Sequence, residues 1–140
     1  MRLLLSMLMV MACTACVASG PSVELAGQRF SVELAQTREK QTLGLMFRDE
    51  MPQDHGMLFI FPDEALRSFW MKNTRIFLDI FYFDKDLKLV SVSRDTPPCR
   101  ISRCPSYPSK GPAKFVLELN AGKASELGVE VGDVLTLMLD

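Results

Sequence analysis

Trp70, Lys72, Asn73 and Thr74 stand together in the run FWMKNT, residues 69–74, between two strongly apolar stretches. A flat ring beside an ammonium, an amide and a hydroxyl is the composition of a small-ligand site, where apolar walls carry a few converging polar groups. Ordinary structure offers a second reading, in which Trp70 fills the core and Lys72-Asn73-Thr74 turns the chain between strands. Asp79 follows in FLDIFYF, residues 77–83. Under period-two alternation Phe77, Asp79, Phe81 and Phe83 share one face. A carboxylate there needs a cation or backbone donors, because an unpaired buried charge is too costly. Lys72, Arg75 and Arg48 are the cations nearest in sequence or by motif. Asp79 therefore either braces the Lys72–Thr74 turn or belongs to a site, where perturbed titratable groups concentrate.

Glu118, in VLEL, is a second acid within an apolar strand. Paired with Asp79 it would suit glycoside hydrolysis, provided the carboxyls lie about 5 to 10 Å apart. An ordinary half-exposed strand would instead turn Glu118 to solvent beside Val116. No Ser-His-acid set stands out, since the serines are scattered and His55, the single histidine, sits in a turn before Gly56. Neither a nucleophile elbow nor a Gly-rich phosphate loop occurs. Met46, Met51, Met57, Met71 and Met138 could offer thioethers to Cu(I), but Met within strands is more commonly core filler. No metal and no cofactor is expected.

The elements that must position these groups are short strands. Residues 23–35, VELAGQRFSVELA, alternate apolar and polar positions around Ala26-Gly27, which predicts a hairpin with Val23, Leu25, Phe30, Val32 and Leu34 inward. Thr37 is a helix N-cap for a short helix bearing Leu43, Met46 and Phe47 at helical spacing. GMLFIF and IFLDIFYFD are continuous apolar runs that read as inner strands covered on both faces. LKLVSVSR, KFVLELN and the closing VGDVLTLMLD supply further strands, and AGKASELG supplies one or two helical turns ending at Gly128. Residues 96–113 form a Pro-rich loop of a length that signals function or disorder. The expected fold is mainly β, a β-sandwich or partly open barrel of jelly-roll type with one or two short helices.

Length and charge bound the rest. A chain of 140 residues with 48% hydrophobic content is one globular domain with a substantial core. With 17 acidic and 16 basic residues, it carries no basic excess for nucleic acid, which is not an expected partner. Residues 1–16 read as a secretory segment: Arg2, a short apolar run to Ala12, then small residues. Cys16 follows Thr14-Ala15 much as the acylated cysteine does in bacterial lipoproteins, although Cys13 stands where Leu is usual. Cleavage near Ala18 is the competing reading. Val17 after a lipidated Cys16 would suggest outer-membrane sorting. Residues 17–22 then form a tether and 23–140 the domain. Export leaves Cys99 and Cys104, which in an oxidising compartment read as a disulfide pinning the long loop. Two Cys and one His cannot complete a zinc site, and the spacing is not C-x-x-C.

The motifs GLMFR (44–48), GMLFIF (56–61), FWMKNT (69–74), LDIFYFD (78–84) and FVLELNAG (115–122) occur in this order. Together they resemble the prokaryotic family known as domain of unknown function 192, over about residues 23–140. The Cys99–Cys104 pair followed by PSYPSKGPA looks like that family's exported branch. The resemblance implies a small β-rich domain and no established activity. Three functions are therefore open. The leading one is a non-catalytic envelope domain, periplasmic and lipid-anchored through Cys16, that binds a small anionic molecule or an envelope protein. Its cleft would be rimmed by Trp70, Lys72, Asn73 and Thr74, with Arg48 and Asp79 behind. The second is a hydrolase of envelope saccharides using Asp79 and Glu118. The third is a purely structural or accessory protein.

Overall fold

A computed structural model describes residues 20–139. The secretory segment, Cys13, Cys16 and the Ala18 position lie outside the described residues, as does the first part of the tether. The hairpin forms as expected, with β1 (Ser22–Leu25) antiparallel to β2 (Gln28–Ala35). Ala26 and Gly27 both take positive φ, 50° and 79°, as a two-residue hairpin turn of the primed type requires. Val23, Leu25, Phe30 and Val32 are buried and Leu34 packs against them.

Thr37 caps α1 (Arg38–Leu43), its Oγ1 accepting from the Lys40 amide. This short helix is a crossover, because β2 pairs in parallel with β3 (His55–Ala65). Then come β4 (Ser68–Trp70), β5 (Leu78–Phe83), β6 (Leu89–Thr96), β7 (Ser106–Pro108), β8 (Ala113–Asn120), α2 (Lys123–Leu127) and β9 (Thr136–Met138). Seven strands form one mixed sheet in the order β6-β5-β8-β3-β2-β1-β9, and β4 pairs with β7 in a separate ribbon. The architecture is mainly β, and the sheet does not close into a barrel.

Both faces of the large sheet are covered. One face carries Leu58, Phe81, Phe83, Leu117 and Leu119 and packs against Ala124, Val129 and Leu135. The other carries Met57, Phe59, Ile80, Tyr82 and Val116 and packs against Leu45, Met51, Met71 and Cys99. All six residues of β5 are buried. At Gly56, β3 and β8 approach so closely that an added Cβ would lie 2.5 Å from the Glu118 carbonyl oxygen. Only glycine fits there. The long Pro-rich loop is ordered: Cys99 and Cys104 form the disulfide, and β7 anchors the loop's far end to β4.

Asp79 lies on the α2 side of the sheet, fully buried. Its Oδ1 accepts from the Asp95 amide and its Oδ2 from the Ala124 amide, both at 2.8 Å. It thus ties β6 and the start of α2 to β5, and none of Lys72, Arg75 or Arg48 pairs with it. The expected brace to the Lys72–Thr74 turn is replaced by a brace on the opposite face. Phe77 lies ahead of β5 and is 56% exposed, so it does not share the buried face of Phe81 and Phe83. Truncating Asp79 leaves one buried amide, that of Ala124, and one part-buried amide, that of Asp95, unpaired, and bonds to charged groups contribute about 1.5 to 3 kcal/mol each. Asp79→Ala should therefore lose roughly 3 to 5 kcal/mol in urea unfolding, and Asp79→Asn, with one acceptor oxygen, about half as much. An unchanged midpoint for Asp79→Ala would contradict this role.

Candidate functional site

The crossover between β2 and β3 lays α1 and the loop after it over the second face of the sheet. Gln41 fastens it there: its Nε2 donates to the carbonyls of Ala35, 3.2 Å away on β2, and Ile60, 3.0 Å away on β3. Gly44 then turns the chain, and Leu45 enters the core. Between this loop, Phe59, Phe69, Trp70 and Thr74 remains a narrow cavity of about 30 Å³, with Glu118 among its lining residues. That is room for about two water molecules. Outside it lies a groove of about 210 Å³ lined by Arg38, Ser68 and Phe61, sharing Gln41, Thr42, Phe59, Phe69 and Trp70 with the cavity. Phe69 stands edge-on to Phe59, their ring centres 4.9 Å apart, and makes a rigid apolar wall.

Glu118 is the chemically unusual group. It is 4% exposed, and no donor hydrogen-bonds its carboxyl among the described residues. Among the described residues no buried side-chain nitrogen or oxygen is fully sealed without a partner, so the carboxyl keeps contact with the small cavity. Burial pushes its pKa up to about 8. At neutral pH it is mostly a neutral acid with one donor and free acceptor capacity.

The residues expected at the site divide. Trp70 does not plug the core; it is 51% exposed and walls both the cavity and the groove. Lys72 lies beside it, Nζ 5.8 Å from the ring centre. Thr74 is buried and lines the cavity. Asn73 belongs instead to a second concavity with Phe47, Arg75 and Arg100. The turn is held by the disulfide loop, since the Asn73 amide donates to the Cys99 carbonyl and the Cys99 amide to the Met71 carbonyl. Arg48 is elsewhere, gripping Glu33 with both terminal nitrogens at 2.5 and 2.8 Å. His55 Nε2 meets the same carboxylate at 3.1 Å, and Ser31 Oγ meets His55 Nδ1 at 2.7 Å. The Arg48 guanidinium holds the Glu33 carboxyl down at about 2.

Asp79 and Glu118 do not form a pair. Asp79 sits opposite Leu119 and Ile80 opposite Glu118, so the two acids project from opposite faces of the sheet. The hydrolytic arrangement fails on that register, and so does the solvent-facing placement of Glu118. The local signal for the burial of Glu118 is the run FVLEL, apolar at every position but Glu118 itself. The role of Gln41 depends on where the crossover lands, which no local signal shows.

The described residues contain no group of three or more His, Cys, Asp or Glu placed to hold a metal, and no helix long and apolar enough to cross a membrane. Residues 22–137 match the DUF192 family model, described as an uncharacterized ACR. No curated protein matches the chain. A solved protein of unknown function from Novosphingobium aromaticivorans DSM 12444 is 35% identical, with a TM-score of 0.74 over 83% of this chain and 82% of its own. A second, from Sinorhizobium meliloti 1021 and described as a "putative transcription regulator", is also 35% identical, with a TM-score of 0.77 over 85% of this chain and 94% of its own.

The two perturbed acids predict the pH profile of stability. Glu33, depressed when folded, stabilises above its unfolded pKa of about 4.5, and that contribution is lost as pH falls toward 2. Solvent screening keeps it small, because the Glu33 side chain is 42% exposed. Glu118 is raised when folded; the unfolded chain ionises first, so stability falls as pH rises from about 4.5 to 8. Stability should peak near pH 4.5 to 5. Glu118→Gln should flatten the neutral-side decline and add roughly 1 to 3 kcal/mol at pH 8 relative to pH 4.5. Urea titrations across that range measure it, and a Glu118→Gln variant with the parent's slope contradicts it.

Proposed function

The chain belongs to the DUF192 family, and from that premise we propose a non-catalytic binding module for a small, neutral, hydroxyl-bearing ligand of saccharide type. One observation carries the reading: Glu118, buried and without a protein partner, lines a small cavity walled by an exposed tryptophan. A cavity of about 30 Å³ admits a single hydroxyl or hydroxymethyl group, not a ring. The ring would lie in the adjoining groove against Trp70 and the edge of Phe69. A protonated carboxyl both donates to and accepts from a hydroxyl, and it meets no charge that would force it to ionise in an apolar wall. Gln41 and Thr74 flank the same cavity. Lys72, beside the indole, would cover the outer edge of a stacked ring.

The reading is of binding and not of turnover. A second carboxyl on the same face, which hydrolysis of a glycoside would need, is missing from the lining of the cavity and groove. We place the module in the cell envelope, tethered through a lipid on Cys16, in keeping with the composition of residues 1–16.

Trp70 is the chain's single tryptophan, so its fluorescence reports the site directly. Titration with a panel of methyl glycosides should give a saturable emission shift with at least one member. By calorimetry, Glu118→Gln should weaken that binding about tenfold, the worth of one good hydrogen bond. Trp70→Ala should weaken it further. Both variants folded and binding unchanged would refute the site.

A further inference from the structure

The segment from Trp70 to Arg75 separates two concavities, and the second is chemically unlike the first. Thr74 lines the Glu118 cavity, whereas Asn73 lines an open hollow of about 320 Å³ with Phe47, Arg75 and Arg100. No carboxylate lines that hollow. Arg100 has no acidic partner within 4 Å among the described residues, and Arg75 is held by a single 2.8 Å bond from Nη1 to Asp49 Oδ1. Arg75 keeps most of its donors free, with its Cζ 6.0 Å from the centre of the Phe47 ring.

The backbone here is strained without any reward in burial. Phe47 has φ 66°, in the left-handed region that a bulky residue rarely enters. Its ring is nevertheless 55% exposed. The conformation is imposed by a relay of backbone bonds: the Phe47 amide donates to the Asn73 carbonyl at 2.8 Å, and the Asn73 amide to the Cys99 carbonyl at 2.9 Å. Asn73 is left-handed too, at φ 55°. Cys99 is fixed by its disulfide to Cys104, and Arg100 follows it directly. Backbone strain that holds an exposed ring beside the Arg75 guanidinium, in a hollow that Arg100 also lines, motivates a binding role for this position.

We infer that the hollow of Phe47, Asn73, Arg75 and Arg100 binds an organic anion, a phosphate or carboxylate carrying a flat apolar body. The guanidinium groups and the Asn73 side-chain carboxamide supply hydrogen-bond donors for the anionic group. The Phe47 ring supplies the face for the apolar part. The disulfide acts on this site by holding Arg100 and, through Asn73, Phe47. The inference stands apart from the saccharide reading, since the two sites share no lining residue.

The test is calorimetry of the full chain with phenyl phosphate and with inorganic phosphate. Phenyl phosphate should saturate one site, with inorganic phosphate about tenfold weaker. Arg100→Gln should weaken phenyl phosphate binding about tenfold or more. Phe47→Gly should erase the preference for the aryl compound while the Tm stays level or rises, because glycine accepts the positive φ freely. The Cys99→Ser, Cys104→Ser double variant should bind more weakly at an unchanged ring preference. Co-sedimentation with phosphatidylcholine vesicles, with and without phosphatidic acid, separates the sources. Capture by phosphatidic acid that is lost in Arg100→Gln assigns a lipid phosphate, and phenyl phosphate binding without vesicle capture assigns a soluble anion. No saturable binding to either probe overturns the inference, as does binding that Arg100→Gln leaves intact. A Phe47→Gly variant that loses Tm and keeps its aryl preference overturns the role of the ring.

Discussion

Everything in this molecule turns on the burial of β5 and β8 from both sides. A strand covered on one face can point a polar side chain to water; these strands cannot. Each of them carries one acid, and the two acids meet the constraint in opposite ways. Asp79 is given two backbone amides and becomes a fastening between β5, β6 and α2. Glu118 is given no donor and stays a costly, mostly neutral acid beside a small cavity. A carboxyl without a protein donor in an inner strand of a well-packed sheet is a liability unless something else completes it. That contrast makes Asp79 a brace between elements and leaves Glu118 as the acid without a protein donor among the described residues.

The disulfide has a similar position between architecture and site. A bridge across so few residues restrains the unfolded chain little, about 2 kcal/mol in the chain-entropy model. Its local consequence is larger. Cys99 bonds through its backbone to both Met71 and Asn73, so fixing Cys99 fixes the turn that separates the two concavities. The polar run Lys72-Asn73-Thr74 is neither simply a turn nor simply a cleft. It is a partition whose two sides present different chemistry, Thr74 toward a buried acid and Asn73 toward two arginines.

What the sequence disclosed was what depends on near neighbours. Alternation around Ala26-Gly27 foretold the hairpin, Thr37 foretold the cap, and the apolar runs foretold strands covered on both faces. What it concealed depends on residues far apart in the chain. By motif Arg48 reads as a ligand-holding cation, but the parallel pairing of β2 with β3 sets Glu33 and His55 beside it. Nothing local decides whether Trp70 fills the core or walls a cleft. Its exposure follows from pairing with Ser106, across the whole disulfide loop. Asp79 and Glu118 alternate correctly in their own strands; only the register between those strands reveals that they face apart.

The strand order also dictates when the molecule can take shape during synthesis. An inner strand of the sheet, β8, residues 113–120, is inserted between β5 and β3, both made much earlier. Until it emerges, β3 and β5 have no shared neighbour and their apolar side chains have no complete sheet to enter. A nascent chain therefore holds the apolar residues of β3 and β5 without their shared neighbour until β8 is made, and folding must wait on a late arrival. Such non-local closure is slow, and it exposes strand edges while it waits. A ribosome-bound fragment ending before residue 113 should be a client for chaperones, and eight further residues should change its fate.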